Sequence, residues 1–284
     1  MKKTNFIALA LSASMLLVAC KPAEISKQEA AKRFENINNA FQAVETIDAL
    51  TITNSFSESS TKNGETKSAS GAATIAANVE KLYTHASATE DGKLVEDAYA
   101  YLKDNKFYLV DAVEETYSEI DATNVIDKVK AQINTEALTE LIDSFKEFAN
   151  SVADYLKITA NDFTAALEQT FGKEIKFDKN LFDLKFYSSG EGNLLIENSI
   201  DYSLSVEIAS QKIGSSGTTF GSVEFKGNMP TRLTTETTVN TTSKIANVET
   251  NLTQTAKEEI EINYNAKVTY PDISGFTKEE AQRS

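Results

Sequence analysis

Two hydrophobic periods alternate along the chain. Phe34, Ile37, Phe41 and Val44 recur at spacings of 3, 4 and 3, which draws one apolar stripe on a helix over about 27–46. Before it, Ser26-Lys27-Gln28-Glu29 fits a capping box, in which the Ser hydroxyl and the Glu carboxylate satisfy orphan backbone donors. The period then drops to two. Leu50, Ile52 and Phe56 alternate with Thr51, Thr53 and Ser55, the pattern of a half-buried strand. Asn63-Gly64 supplies the two left-handed positions of a type I′ turn, so 66–77 folds back antiparallel. Another strand over 81–89, a turn at Asp91-Gly92 and strands over 94–102, 106–111 and 116–120 complete a meander.

From about 124 to 171 the helical period returns. Leu138, Leu141, Ile142, Phe145, Ala149, Val152 and Leu156 share one face of a long helix. Thr159 with Asp162 caps the next, which carries Phe163, Leu167 and Phe171 and stops at Gly172. The remainder is β-rich, with strands expected over 182–188, 192–197, 200–210, 219–227, 231–241, 244–254 and 258–269. The Thr-rich stretch 231–255 holds few apolar residues and reads as strands with one wet face. No boundary has the composition of a domain linker. The expected fold class is α+β, a single domain over 26–284 in the order helix, strands, helices, strands.

The first residues change the picture. Lys2 and Lys3 precede an uncharged run from Phe6 to Ala19, the design of a signal peptide over 1–19. Fourteen residues at ~1.5 Å each span ~21 Å, too short for a ~30 Å hydrocarbon core. Leu17-Val18-Ala19-Cys20 resembles the bacterial lipobox and holds the single Cys of the chain. That resemblance implies diacylglycerol on the Cys20 thiol, a short tether over 20–25, and a protein exported and held on the extracytoplasmic side of a membrane. Its net charge of −14 is repelled by anionic headgroups, so attachment falls to the acyl chains.

The same acidity argues against nucleic acid as a partner. One His and one Cys leave neither a His-based metal cluster nor an internal disulfide, and no cofactor is expected. His85 lies in a predicted strand without a Gly-x-Ser-x-Gly elbow and reads as a satisfied strand residue. Phosphate-cradling glycine motifs are lacking. Glu90-Asp91-Gly92 and the run Asp111, Glu114, Glu115, Glu119, Asp121 lack the ligand spacing of a calcium loop and read as a turn and a solvated face. No catalytic site emerges.

Four features together resemble the LolA/LprG-like family of lipoprotein and lipid carriers. They are Leu50-Thr51-Ile52-Thr53 after the first helix, the hairpin at Asn63-Gly64, Lys106-Phe107-Tyr108-Leu109-Val110, and the closing Ala266-Lys267-Val268-Thr269-Tyr270-Pro271. The resemblance implies a curved antiparallel sheet, a half-barrel, with helices packed on its concave face over an apolar cavity. Leu50, Ile52, Phe56, Phe107, Leu109, Phe145 and Phe163 are the candidate lining. Period-two patterning does not distinguish a hollow interior from a packed one. Two functions follow: a carrier of an apolar cargo (acyl chain, glycolipid or lipoprotein), or a noncatalytic surface lipoprotein that binds protein or envelope partners. An enzyme acting through a carboxylate is the least supported.

Overall fold

A computed structural model describes residues 22–45, 47–78, 81–123, 135–157, 182–208, 211–245, 248–264 and 268–280, with 159, 161, 162, 165, 166 and 169. Cys20 and Phe163 lie outside the described residues. The fold is α+β: one large antiparallel sheet with helices against it.

Helix α1 (Lys27–Gln42) starts at Ser26, whose hydroxyl accepts from the Glu29 amide at 3.2 Å. Only this half of the expected capping box forms. The Glu29 carboxylate turns along the helix to Arg33 at 2.8 Å. Ala30, Phe34, Ile37 and Phe41 form the buried stripe. The helix ends four residues earlier than its apolar pattern suggests. The Val44 amide bonds back to the Phe41 carbonyl, a tight last turn, and Val44 still packs on the core.

Strands β2 (Ala49–Lys62), β3 (Glu65–Asn78), β4 (Leu82–Glu90), β5 (Lys93–Lys103), β6 (Lys106–Asp111) and β7 (Thr116–Asp121) form the predicted meander. Its turns hold the required positive φ: 52° and 89° at Asn63-Gly64, 46° and 78° at Asp91-Gly92, 50° and 58° at Asp104-Asn105. Helix α2 (Thr135–Tyr155) follows, then β8 (Phe182–Gly190), β9 (Asn193–Ile208), β10 (Gln211–Lys226), β11 (Met229–Ile245) and β12 (Val248–Asn263). Two short strands, β1 (Ala23–Glu24) and β13 (Thr277–Lys278), lie at the sheet edges. The order is β1-β8-β9-β10-β11-β12-β2-β3-β4-β5-β6-β7-β13, so β12 joins the two meanders by pairing with β2. All pairs are antiparallel except β13 with β7.

The second meander has fewer and longer strands than its sequence suggests. The expected 192–197 and 200–210 are one strand, and 231–241, 244–254 and 258–269 are two. Across the expected gaps Thr242 pairs with Asn251 and Thr255 with Thr238 in an uninterrupted ladder. Threonine is a good strand former, so a threonine-rich run extends a strand instead of ending it. Cross-strand hydroxyl pairs support such runs, as at Ser59–Thr255 (2.8 Å) and Ser70–Thr89 (2.7 Å). The Gly/Ser-rich 211–218 also belongs to a strand. A Cβ on Gly217 would lie 2.4 Å from the Thr238 carbonyl, so glycine permits the close approach there. At the far end β12 stops at Asn263 instead of continuing to 269. Residues 23–25, expected only as tether, bond to β8, with the Ile25 amide on the Phe186 carbonyl at 2.8 Å.

Candidate functional site: an apolar trough beside the helix layer

Side chains alternate across a sheet, so pairing registers define its two faces. One row reads Ile262, Ile52, Ile75, Thr84, Ala100, Leu109 from β12 to β6. The next reads Phe186, Ile196, Val223, Leu233, Ile260, then Asn54, Ala73, Ala86, Ala98 and Asp111. Both rows belong to the face against which the helices pack.

Over β8–β10 that face is sealed. Phe34, Ile37 and Phe41 of α1 and Ala149 and Val152 of α2 bury Phe186, Leu194, Ile196 and Phe225. Phe34 meets Phe225 edge-on at 5.4 Å between centroids. A second cluster centres on Leu50 and Ile262, with Ile52, Leu233, Ile260, Tyr264 and Phe145 packed round it. Phe145 belongs to both clusters and marks the border of the helix layer. Tyr264 donates to the Pro230 carbonyl at 2.9 Å, and its burial pushes the phenol well above its ordinary value. A third small cluster, Leu102 and Ala122 with Leu82 and Phe107, closes the near end of the first meander.

Beyond Phe145 the rows continue without a lid among the described residues. Across β3–β7 they form a trough of about 610 Å³. Each of the five strands contributes two residues of the helix-side face: Ala73 and Ile75, Thr84 and Ala86, Ala98 and Ala100, Leu109 and Asp111, Thr116 and Ser118. Alanines make the floor. Ile75 (54% exposed) and Leu109 (46%) stand as its apolar walls. Asp111, and Glu279 beyond β7, stand at the outer end.

Directly behind the trough the opposite face is filled. Tyr101 stacks between Tyr108 (5.0 Å) and Tyr270 (4.7 Å), and Tyr99 on His85 (4.2 Å). His85 Nε2 lies 2.7 Å from Asp97 Oδ1, so the histidine is the satisfied strand residue expected. Burial, together with neighbouring Asp97 for Tyr99 and neighbouring tyrosines for Tyr101, pushes both phenols up to about 12. The C-terminal segment straps this face. Tyr270 donates to the Leu102 carbonyl at 2.7 Å, and Lys278 pairs with Glu119, which also accepts from Lys106 at 2.9 Å. The two ammonium groups hold the Glu119 carboxyl below the usual carboxylate range.

The sequence-predicted lining is split by this geometry. Leu50, Ile52 and Phe145 meet in the packed second cluster, and Phe107 joins the third. Leu109 lines the trough. Phe56 is 48% exposed on the same face, where it occupies the space that a Gly71 side chain would need. The trough floor is built from small side chains, which a pattern of large apolar residues does not mark. The signal was alanine at alternate positions, Ala86 and Ala88 on β4 and Ala98 and Ala100 on β5.

The three aspartates of the acidic stretches serve other bonds. Asp91 Oδ1 accepts from the Ser68 amide, Asp111 Oδ1 from the amides of Val113 and Glu114, and Asp121 Oδ1 from Thr123. Among the described residues no three His, Cys, Asp or Glu side chains converge as metal ligands. No helix among them is long and apolar enough to cross a membrane.

No family model and no curated protein matches this chain. Among solved structures it is similar to a chain described by the words "lipid-protein interactions in lipovitellin", at 5% identity and a TM-score of 0.29. The match covers 80% of this chain and only 27% of that one. A likeness at this level fixes neither a family nor a ligand.

Proposed function

We propose that the protein is a lipoprotein of the cell envelope, anchored through acylated Cys20, that binds an apolar ligand against the helix-side face of its sheet. On this reading the sheet curves into a half-barrel, and the helices line its concave face without covering all of it. One observation carries the proposal: a single face is sealed by helices over β8–β10 and continues as an alanine-floored trough over β3–β7. Its volume falls within the ~300–1,000 Å³ typical of small-molecule sites. Hydrocarbon makes no directional bonds, so small apolar side chains suffice to hold it.

A second reading draws on the far halves of β2, β3, β11 and β12, which carry Ser and Thr with both faces wet. There the hydroxyl-rich strands themselves would contact a protein or envelope partner.

The test uses the full chain with Cys20→Ser. Loss of radiolabelled palmitate incorporation and release from membranes would support the anchor; retention of both would overturn it. Native mass spectra before and after organic extraction then address the ligand. An extra mass that leaves on extraction and resolves into acyl species supports the trough. A clean mass that persists after incubation with cell lipid extract overturns it and favours the hydroxyl-rich surface.

A further inference from the structure

The trough has a polarity. At its inner end Ile75 adjoins Ile52, beside Ile262 and Phe145, while Ala73 adjoins Asn54, whose amide is bonded to the Glu258 carboxylate. Its outer end carries Asp111, and Glu279 beside Ser118, where β13 continues the sheet past β7. Glu96 joins the same face two residues along β5 from Ala98, opposite Ala88. The lysines that flank the trough fall on the other face: Lys106 and Lys278 are engaged by Glu119, and Lys81 lies over the Tyr270 ring at 5.6 Å; Lys93, paired with Glu90, is on the trough's face but two rows beyond Ala98. The registers thus place carboxylates beside the trough with the lysines nearest to it behind. Both backbone bonds to Asp111 fall on Oδ1.

We infer that the trough takes a single-chain amphiphile with a cationic head. The tail lies over Ala73, Ala86, Ala98 and Ala100 towards the Phe145 border, and the ammonium sits at the end formed by Asp111 and Glu279. This rests on the apolar-ligand reading above and specifies its ligand. Four strand spacings of ~4.8 Å give the trough a length of about 19 Å from β3 to β7. An alkyl chain can lie across the strands within that length while its head stays in water, where it needs no desolvation. A carboxylate-headed chain of the same length would meet like charge at that end.

The experiment titrates the full-length Cys20→Ser chain with three dodecyl probes below their micelle concentrations: dodecyltrimethylammonium, dodecanoate and dodecyl maltoside. Two exposed charge contacts give an expected preference of about tenfold for the cation over the neutral probe at low salt. Screening at high salt should remove it. Asp111→Asn keeps the Oδ1 acceptor of the turn, and Glu279→Gln leaves the strap's backbone bonds in place. Together they should abolish the preference while the neutral probe binds as before. Equal binding of all three probes overturns the cationic head and leaves the apolar trough standing; so does tighter binding of dodecanoate. Binding of none overturns both readings. Should the double variant lose its turn, Glu279→Gln alone must still lower the preference; no change there overturns the assignment.

Discussion

Placing an indole in the trough separates an open groove from a packed core. Ala100 is half-buried on β5, between Thr84 and Leu109 in its row. Ala100→Trp lays a ring over the floor towards the ~610 Å³ of open space, and Trp is well tolerated in strands. An indole presents about 150–250 Å² of surface, and denying a ligand roughly 100 Å² of trough at ~25 cal/mol/Å² removes about 2.5 kcal/mol. Affinity for an alkyl probe, or for a dye it displaces, should fall about 70-fold. Stability should change by no more than about 0.5 kcal/mol, because an open surface accommodates the ring. Urea unfolding and dye displacement, run on one preparation, read the two effects. A loss of stability of about 1–3 kcal/mol, the signature of overpacking, would show the space to be closed core. Unchanged affinity in a stable variant would place the ligand elsewhere.

Three further outcomes are expected. Phe41→Ala, at a fully buried position on the inner face of α1, should cost about 3–5 kcal/mol in urea unfolding, and a cost below about 1 kcal/mol would contradict the packing of the main cluster. Ser26→Ala should cost about 1 kcal/mol, whereas Glu29→Ala should cost at most about 0.5 kcal/mol, because Glu29 loses only its exposed pair with Arg33; equal costs would restore the complete capping box. Glu119, whose folded carboxyl titrates below its ordinary 4.5, secures the strap fully above that value and releases it as pH falls through the lowered one. The amides of Thr277 and Glu279, which bond to the carbonyls of Glu115 and Tyr117, should therefore keep their NMR shifts from pH 7 to about 5 and move below. Glu119→Gln should remove that transition, and one centred near pH 6 would point to another group.

The first meander was legible because its turns are local. Asn63-Gly64 and Asp91-Gly92 name the backbone conformation they need, and the strands between them follow. The second meander is less legible, because its threonine-rich runs hold no break: Thr242 and Thr255 lie within one ladder that closes only at Ile245 and Val248. The site was harder still. Leu50 and Leu109 look alike as alternating strand residues, yet one is buried beside Phe145 and the other is 46% exposed. The difference lies in which strands the helices cover. That depends on β12 pairing with β2, a contact between residues some 200 apart in the chain. Periodicity reports that a strand has an apolar face; it holds no information on what lies over that face.

The same topology sets the site against the proposed anchor. Ala23 and Glu24 are bonded to β8 at one edge of the sheet, so an acyl group on Cys20 has two intervening residues before the fold begins. In the sheet order β4 lies eight strand positions from β1. At ~4.8 Å per step that is about 40 Å measured along the sheet. On the proposed reading the anchored edge and the trough therefore have separate tasks: the fold is held to the membrane at β1, while the alanine floor meets ligand several strands away. A flexible linker inserted before Ala23 should then leave alkyl-probe affinity unchanged, because no part of the trough is built from the anchored edge. Loss of affinity on insertion would mean that the N-terminal segment contributes to the site.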